Sequence, residues 1–255
     1  MLRIKIGVTT SRGNVRSSNE DNFLMNGKCL EISKDEKTLG GRGKIPLLAA
    51  VFDGMGGSSH GKEASLTAAA LLSEYGRELV KLGDKLSVTE LDQLIQRVNL
   101  GVCSIEITGR APGSTLALLC MNDKKIYAAN VGDSRIYQYQ KKRLEQLSVD
   151  HNQAHDLISF GLKAEGRSGK NILTQYLGIS PEEMVIEPHY VTLENEKKYF
   201  LLCTDGLIEG IGETEIATII DKYKYNVKKA TQVMVSEAIR GGARDNLTAM
   251  LIRIS

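Results

Sequence analysis

Apolar, strand-like runs that end in an aspartate constrain the fold of this chain more than any other feature. Residues 45–52 form one such run before Asp53, and residues 199–204 form another before Asp205. Both runs have the length and composition of buried β-strands. Other acidic motifs also adjoin strand-like stretches: Asn19-Glu20-Asp21, Gly132-Asp133 and Asp245-Asn246. The sequence therefore predicts a β-rich core with carboxylates at the ends of its strands.

Carboxylates that come together from distant strands repel one another, so their negative charge must be neutralised. Ionised carboxylates that lie close together raise one another's pKa unless a cation neutralises them, so divalent metal ions account for the whole set. Asp-Gly and Asp-Asn are also common turn dipeptides, and for any single pair a turn is the simpler interpretation. For the set as a whole we favour a metal site.

Length and composition are those of an ordinary globular protein. The 255 residues are 42% hydrophobic and 25% charged, with a net charge of +2, so the chain can bury a substantial core. Lysines and arginines are spread along the chain, apart from Lys141-Lys142-Arg143. We interpret that triplet as a solvated hairpin turn and expect no nucleic-acid binding.

The same composition predicts where the protein works. No stretch approaches the roughly 18 uncharged apolar residues of a membrane span, and residues 1–6 alternate like a strand. The four cysteines are dispersed and mostly lie in apolar stretches, which favours free thiols in a reducing compartment. We therefore expect a cytoplasmic protein with no membrane association.

Hydrophobic periodicity predicts one α+β domain, because strands and helices occur in runs instead of alternating. A glycine-rich loop is expected at 40–43, a mobile surface loop at 161–171, and Ser87 or Thr89 as the cap of the second helix. Strands are expected at 3–10, 22–32, 45–52, 115–121, 125–131, 135–140, 143–147, 185–193, 198–204 and 247–254. Helices are expected at 61–82, 88–107, 213–222 and 226–240.

Other chemistries fit the sequence less well. Residues 56–62 match the phosphate-binding pattern G-x-x-x-x-G-K, but Glu63 stands where magnesium needs a Ser or Thr hydroxyl. Nucleotide binding through this loop is thus a less favoured alternative. No cysteine has an arginine six positions later and no G-x-S-x-G motif occurs, which argues against covalent cysteine or serine catalysis. His151 and His155 could bind zinc on a helix, although a helical surface pair is commoner.

The acidic motifs, in their order, resemble those of the metal-dependent serine/threonine protein phosphatases, the PPM or type 2C family, in its compact bacterial form. The resemblance covers nearly the whole chain and implies a central sandwich of two antiparallel β-sheets flanked by helices on both sides. It also implies a single domain over 1–255, a flap at about 152–178, and two Mn²⁺ or Mg²⁺ ions at one end of the sandwich. The matching motifs are Gly13 to Asp21, Val51 to Gly57, Gly113 to Thr115, Asn130 to Arg135, Cys203 to Gly206 and Arg244 to Asn246.

The resemblance assigns metal ligands to matching positions of this chain. It implies that Asp53 bridges both ions, that the Gly54 carbonyl binds one of them, and that Asp205 and Asp245 bind the other. Asp133 matches a third, weaker metal position, for which a turn aspartate between two strands is an equal alternative. Oxygen ligands of this kind suit hard divalent cations, and two such ions can share a hydroxide that attacks phosphorus in line.

The resemblance also implies catalytic roles for Arg16, Glu20 and Asp21. Glu20 and Asp21 are expected to hold waters bound to the metal ions. Arg16 is expected to clamp the phosphoryl oxygens through its guanidinium fork, a geometry that lysine cannot copy. A surface salt bridge is the alternative role for Arg16.

Two positions depart from the family pattern. Ser58 stands where many bacterial members have a histidine after Met-Gly-Gly, and Lys62 stands where glutamate is usual. His60 lies two residues from Ser58, so the identity of any general acid stays open. The expected function is hydrolysis of phosphoserine and phosphothreonine on proteins by a monomer that opposes a serine/threonine kinase. A catalytically weak module that binds phosphoproteins is the alternative.

Overall fold

The computed structural model describes residues 2–31, 34–56, 60–105, 112–159, 161, 169 and 172–255. Ser58 and most of the loop at 161–171 lie outside the described residues, and the expectations about them stay predictions. Of the helices in the described ranges, none has both the length and the apolar character that crossing a membrane requires.

Two antiparallel sheets pack face to face and form the centre of the molecule. One sheet has the strand order β10-β9-β12-β13-β1-β3 and the other has the order β11-β8-β7-β4-β2, while β5 and β6 pair separately. The strands are β1 Ile4–Ser11, β2 Asn22–Met25, β3 Lys37–Gly43, β4 Leu47–Phe52, β5 Gly54–Met55, β6 Gly113–Ser114, β7 Leu116–Met121, β8 Lys125–Val131, β9 Arg135–Gln140, β10 Arg143–Gln146, β11 His189–Glu194, β12 Tyr199–Cys203 and β13 Leu247–Ile254.

Helices cover the outer face of each sheet, which confirms the predicted α-β-β-α sandwich. The first two helices pack on the sheet that contains β4, and the last three pack on the sheet that contains β13. The helices are α1 His60–Val80, α2 Val88–Cys103, α3 Gln153–Ser159, α4 Asp205–Gly210, α5 Glu213–Tyr223 and α6 Val227–Arg240.

Strand β4 shows why its sequence is apolar throughout. Successive side chains of a strand point to opposite faces, and both faces of β4 are covered. Ala50 and Phe52 pack beneath α1 and α2, whereas Ala49 and Val51 enter the core between the sheets. Because all four are fully buried, the strand is held firmly up to the residue that precedes Asp53.

The second predicted strand is too long, because the chain turns after Met25. Asn26 and Gly27 have φ values of 53° and 72°, and Lys28 exchanges two backbone hydrogen bonds with Met25 at 2.9 and 3.0 Å. Asn-Gly is a preferred dipeptide for a tight hairpin turn with positive φ at both positions. Residues 26–31 are therefore not part of the strand.

The glycine-rich loop predicted at 40–43 is wrong, since these residues belong to β3. A Cβ atom on Gly40 would lie 2.9 Å from Cβ of Lys228, so the missing side chain allows α6 to pack closely over this edge strand. The predicted strand at 185–193 also begins too early, because β11 starts at His189.

The start of α2 agrees with the prediction. Ser87 accepts a hydrogen bond from the Thr89 amide, and Glu90 accepts one from the Ser87 amide, which completes a capping box. The helix ends at Cys103 and not at 107. The short helices α3 and α4 were not predicted, because seven and six residues are too few to show a helical period. All four cysteines are free, as the sequence indicated.

Candidate metal and phosphate site

Strand pairing brings the acidic motifs to one end of the sandwich. The end of β12 lies beside the starts of β9 and β13 in antiparallel register. Asp205 follows β12, whereas Asp133 and Asp245 each precede the neighbouring strand by two residues. Asp53 follows β4 of the facing sheet. Carboxylates that are far apart in the sequence therefore meet at one place.

These strand ends surround a cavity of about 620 Å³. It is the largest of the described cavities, and most of its wall is polar. Of the predicted site residues, all except Asp21 line it: Arg16, Glu20, Asp53, Gly54, Asp133, Asp205 and Asp245. Thr115, Tyr176, Glu209 and Asn246 also contribute to the wall.

Asp53 is held in place by hydroxyl groups behind it. Its amide donates a hydrogen bond to Oγ1 of Thr115 at 2.9 Å, and that oxygen lies 2.6 Å from Oγ of Ser134. Burial, followed by the nearby charges of Asp21 and Asp205, raises the pKa of Asp53 well above its ordinary value. The neutral form is favoured because burial and the neighbouring carboxylates outweigh the attraction between Asp53 and Arg16.

Gly54 makes a close backbone contact that no other residue could make. A Cβ atom on Gly54 would lie 2.0 Å from the carbonyl oxygen of Gly61. The Gly54 amide donates to the carbonyl of Glu20 at 3.2 Å, and the same carbonyl accepts from Oγ of Ser65 at 2.6 Å. The loop that contains Glu20 is thereby fixed against the start of α1.

Asp21 lies beneath the cavity and is only 1% exposed. Its Oδ2 accepts hydrogen bonds from Oγ1 of Thr204 at 2.8 Å and from Oγ1 of Thr248 at 2.7 Å. Its Oδ1 is buried and has no hydrogen-bond partner among the described residues. Burial raises the pKa of Asp21 to about 8, although the two hydroxyls lower it.

The pKa values of Asp205 and Asp133 are also raised. Oδ1 of Asp205 is buried with no partner in the part of the chain that the structure describes. Burial and the charge of Asp245 raise the pKa of Asp205 to about 6. For Asp133, burial and the charge of Asp205 raise the pKa to about 8. A polar atom that is buried without a partner costs free energy, so a site with two such carboxylate oxygens calls for a ligand that is positively charged.

The donor set fits a hard divalent cation. The cavity offers carboxylate and carbonyl oxygens, which are the ligands that Mg²⁺ and Mn²⁺ prefer. As the side chains stand, no three His, Cys, Asp or Glu groups of the described residues form a ready-made metal cage. The fit therefore rests on the oxygen donors and on the unpartnered oxygens of Asp21 and Asp205.

Arg16 reaches the same cavity from the loop after β1. Its Nη2 lies 2.5 Å from Oδ2 of Asp245, and its side chain is 56% exposed. Both proposed roles of Arg16 are compatible with this position, since the ion pair lies at the cavity wall. A phosphate in the cavity would offer the guanidinium a second negatively charged partner besides Asp245.

Asn246 anchors the loop that carries Arg16. Its Nδ2 donates to the carbonyls of Arg12 and Ser18 at 3.0 and 2.9 Å, and its Oδ1 accepts from the Glu20 amide at 2.8 Å. One amide side chain thus ties three points of the loop to the start of β13. Its hydrogen-bonding capacity is nearly filled, so it positions the site and does not face a ligand.

Several positioning residues were not assigned from the sequence. Thr204, Thr115 and Asn246 lie inside the recognised motifs, so their position was a usable signal. Thr248 gave no such signal, because in the sequence it is one residue of an apolar strand. Its role depends on the register that places β13 beside β12 and beneath Asp21.

Lys62 is occupied by a contact away from the cavity. Its Nζ donates to Oδ1 of Asp35 and to the carbonyl of Lys34 at 3.0 and 3.2 Å. The same Asp35 oxygen accepts the Asn19 amide at 2.9 Å. Because a phosphate-binding lysine must point its ammonium at the phosphates, this arrangement does not support the nucleotide-binding alternative.

Comparison with known proteins supplies the family. The family model of protein phosphatase 2C matches residues 31–251. The chain belongs to this family. The match begins after Arg16, Glu20 and Asp21, but a broader likeness includes them: the serine/threonine phosphatase stp of Listeria monocytogenes serotype 4b is 34% identical over 251 residues, which are 95% of this chain and 93% of the relative.

Two other likenesses agree with membership of the protein phosphatase 2C family. The protein phosphatase PhpP of Streptococcus pneumoniae is 32% identical over 151 residues, or 57% of this chain and 60% of that protein. The crystal structure of the Mycobacterium tuberculosis serine/threonine phosphatase PstP/Ppp superposes with a TM-score of 0.79 at 23% identity, with 98% of each chain covered. The structural likeness establishes the fold.

Proposed function

We propose that this protein phosphatase 2C family member hydrolyses phosphoserine and phosphothreonine on proteins with the help of divalent metal ions. Relatives named as serine/threonine phosphatases support the reaction and the substrate class. The observation that carries the assignment to this cavity is its pair of buried, unpartnered carboxylate oxygens, on Asp21 and Asp205. A site that only bound phosphate would need cationic groups there and not acidic ones.

The cavity residues fall into two functional groups in this proposal. Asp53, the carbonyl of Gly54, Asp205 and Asp245 hold two Mn²⁺ or Mg²⁺ ions, and Asp133 contributes to a third. Bound ions would supply an activated water nucleophile and neutralise the negative charge of the phosphoryl oxygens. A crystal structure of the PstP catalytic domain contains two manganese ions, which supports the number two.

The second group acts on water and on the phosphoryl group. Asp21 is fixed through Oδ2 by two threonine hydroxyls, so its Oδ1 is free to accept a hydrogen bond from water. Glu20 does the same from the cavity wall, where its amide and carbonyl are both fixed. The guanidinium of Arg16 binds non-bridging phosphoryl oxygens and orients the phosphorus for in-line attack.

We also propose a flap near 152–178 within a single domain of residues 1–255. The last part of this segment, residues 172–178, contributes to the cavity wall through Ile172, Leu173 and Tyr176. Leu177 exchanges two backbone hydrogen bonds with Ser114 at 2.9 and 2.8 Å, which fixes that end to β6. Substrate segments on either side of the phosphorylated residue would contact this flap, so it contributes to substrate choice.

The remaining features of the proposal concern partners and location. The phosphoproteins consumed here are products of a serine/threonine kinase, so a kinase with the same targets is the expected counterpart. Four free cysteines support a reducing compartment such as the cytoplasm. We propose that the protein acts there as a monomer, without nucleic acid or membrane.

Release of phosphate from a phosphothreonine peptide tests the proposed function directly. Purified protein should release phosphate in Mn²⁺ or Mg²⁺ and should lose turnover when excess chelator is added, because the carboxylates alone cannot activate water. Full turnover in chelator would contradict the proposal. Metal-independent peptide binding with no turnover in either condition would favour the alternative of a phosphoprotein-binding module.

Arg16 substitutions separate phosphate binding from a surface salt bridge. We expect Arg16→Ala and Arg16→Lys each to lower kcat/KM on phosphopeptide by on the order of 100-fold, because lysine keeps the charge but not the paired hydrogen bonds. Arg240→Ala removes another exposed arginine that forms an ion pair, and should leave kcat/KM within about twofold. Wild-type kinetics in Arg16→Lys would mean that Arg16 serves only as a charge partner of Asp245.

A further inference from the structure

A second cavity, of about 590 Å³, lies between α1 and the edge of the sandwich formed by β2, β3 and β4. Four exposed cationic side chains border it: Arg42, Lys44, Arg77 and Lys81. No carboxylate is among its described lining residues. We call it the basic cleft, because every charged group on its wall has the same sign.

The basic cleft is at the opposite end of the sandwich from the metal and phosphate site. It contacts β4 at Leu47, whereas Asp53 follows the other end of that strand. At about 3.3 Å per residue, Leu47 and Asp53 are separated by roughly 20 Å. Helix α1 runs the same way, from His60 near the site to Arg77 in its last turn. A ligand in the basic cleft therefore does not touch the catalytic residues.

The four cations have no ion-pair partners in the part of the chain that the structure describes. Among the described residues, no ion pair involves any of them. Glu78 lies one helical turn before Lys81, but it pairs with Arg97 of α2 at 3.2 Å. Like charges gathered around a concave surface produce a positive potential that attracts anions. The cleft is therefore set up for a ligand with several negative charges.

The floor of the basic cleft is apolar. Leu24, Leu47 and Leu48 contribute to it, and Leu24 and Leu47 are each only 2% exposed. A recessed floor can be reached by one apolar side chain that enters the cleft, but not by the flat surface of a bilayer. The bases of a single-stranded nucleic acid bind by stacking on aromatic side chains, and none is among the described lining residues. Cationic walls with an apolar floor match a peptide in which acidic residues flank an apolar one.

We propose that the basic cleft binds an acidic segment of a partner protein, in which Asp, Glu or phosphorylated residues flank a single apolar side chain. The inference does not rest on the proposed catalytic function, because the two sites share no residue. If such a segment belongs to a phosphoprotein substrate, binding in the cleft raises the local concentration of its phosphorylated residue at the distant active site.

Fluorescence anisotropy with a labelled peptide of Asp and Glu residues around a central Leu tests the proposal. The double variant Arg77→Glu and Lys81→Glu should weaken peptide binding by about tenfold or more. The control is the double variant Lys222→Glu and Lys229→Glu, which makes the same charge change at two exposed lysines on α5 and α6. It should change the peptide affinity by less than about twofold. A peptide with Ser in place of Leu should bind the wild type more weakly.

The variants can be checked without the peptide. The double variant Arg42→Gln and Lys44→Gln removes the two charges on the other wall of the basic cleft. Melting curves establish that each variant folds. Turnover of p-nitrophenyl phosphate should be unchanged, which separates failure of the cleft from failure of the active site. An equal loss of peptide binding in the Lys222→Glu and Lys229→Glu control, or absence of peptide binding by the wild type, would overturn the proposal. Tighter binding of phosphatidylglycerol vesicles or single-stranded RNA through the same four residues would also overturn it.

Discussion

Replacing Asp205 with Asn is expected to lower kcat on a phosphothreonine peptide by on the order of 1000-fold or more. Asn keeps the shape of the side chain but removes the charge that attracts a metal ion. Loss of one ligand to an ion that stabilises transition-state charge costs about 4 kcal/mol or more, and each 1.4 kcal/mol is about a tenfold change in rate. The unpartnered Oδ1 of Asp205 is the reason to expect a large effect at this position.

Glu209→Gln is the matched control for this substitution. Glu209 lines the same cavity one helical turn further along α4, and the change removes the same charge. We expect kcat within about fivefold of wild type, because Glu209 is exposed and has no assigned ligand role. Isothermal titration with Mn²⁺ should show weaker binding in Asp205→Asn and not in Glu209→Gln. Normal metal binding by Asp205→Asn would remove this residue from the ligand set.

The sequence predicted the core of the fold because burial leaves a clear pattern. A run such as residues 47–52 is apolar at every position because helices cover one face of β4 and the other sheet covers the opposite face. Where a strand lies at an edge, the pattern is weaker. Gly40 and Gly41 resemble a loop in the sequence, yet they form part of β3, where α6 packs over Gly40 and Met25 lies beside Gly41.

The ligand-facing residues were also predictable, since carboxylates at strand ends stand out from apolar surroundings. The residues that hold them in place were harder to assign. Thr248 binds Asp21 only because β13 lies next to β12 in one particular register, and a single sequence does not specify that register. Lys62 departs from the family pattern in the sequence, and in the structure it pairs with Asp35, a partner 27 positions earlier in the chain.

The response of stability to pH should reverse when metal is added. In the metal-free protein, the pKa of Asp21 and Asp133 is raised to about 8 and that of Asp205 to about 6, against about 3.9 in an unfolded chain. Between about pH 4 and pH 8 the folded state therefore holds protons that the unfolded state has lost. Stability must fall as pH rises through this window, because the folded state binds more protons.

The expected loss between about pH 5 and pH 8 is on the order of 5–10 kcal/mol, since each unit of pKa difference corresponds to about 1.4 kcal/mol and three carboxyl groups contribute. At about 2–4 °C per kcal/mol for a domain of this size, Tm in chelator should drop by roughly 10 °C or more. Saturating Mn²⁺ should remove the drop or reverse it, because the ion competes with protons for the same carboxylates and binds more tightly as they ionise.

Thermal melts followed by circular dichroism, in chelator and in Mn²⁺ across that pH range, measure both curves. Asp133→Asn should flatten the metal-free curve, because it removes a carboxyl group whose folded-state pKa is raised. Asp123→Asn changes an aspartate in the turn between β7 and β8, far along the strands from Asp133, and should leave the slope unchanged. A metal-free Tm that rose with pH would show that the buried carboxyls are already compensated by the chain. The unpartnered oxygens would then give no reason to place metal ions among them.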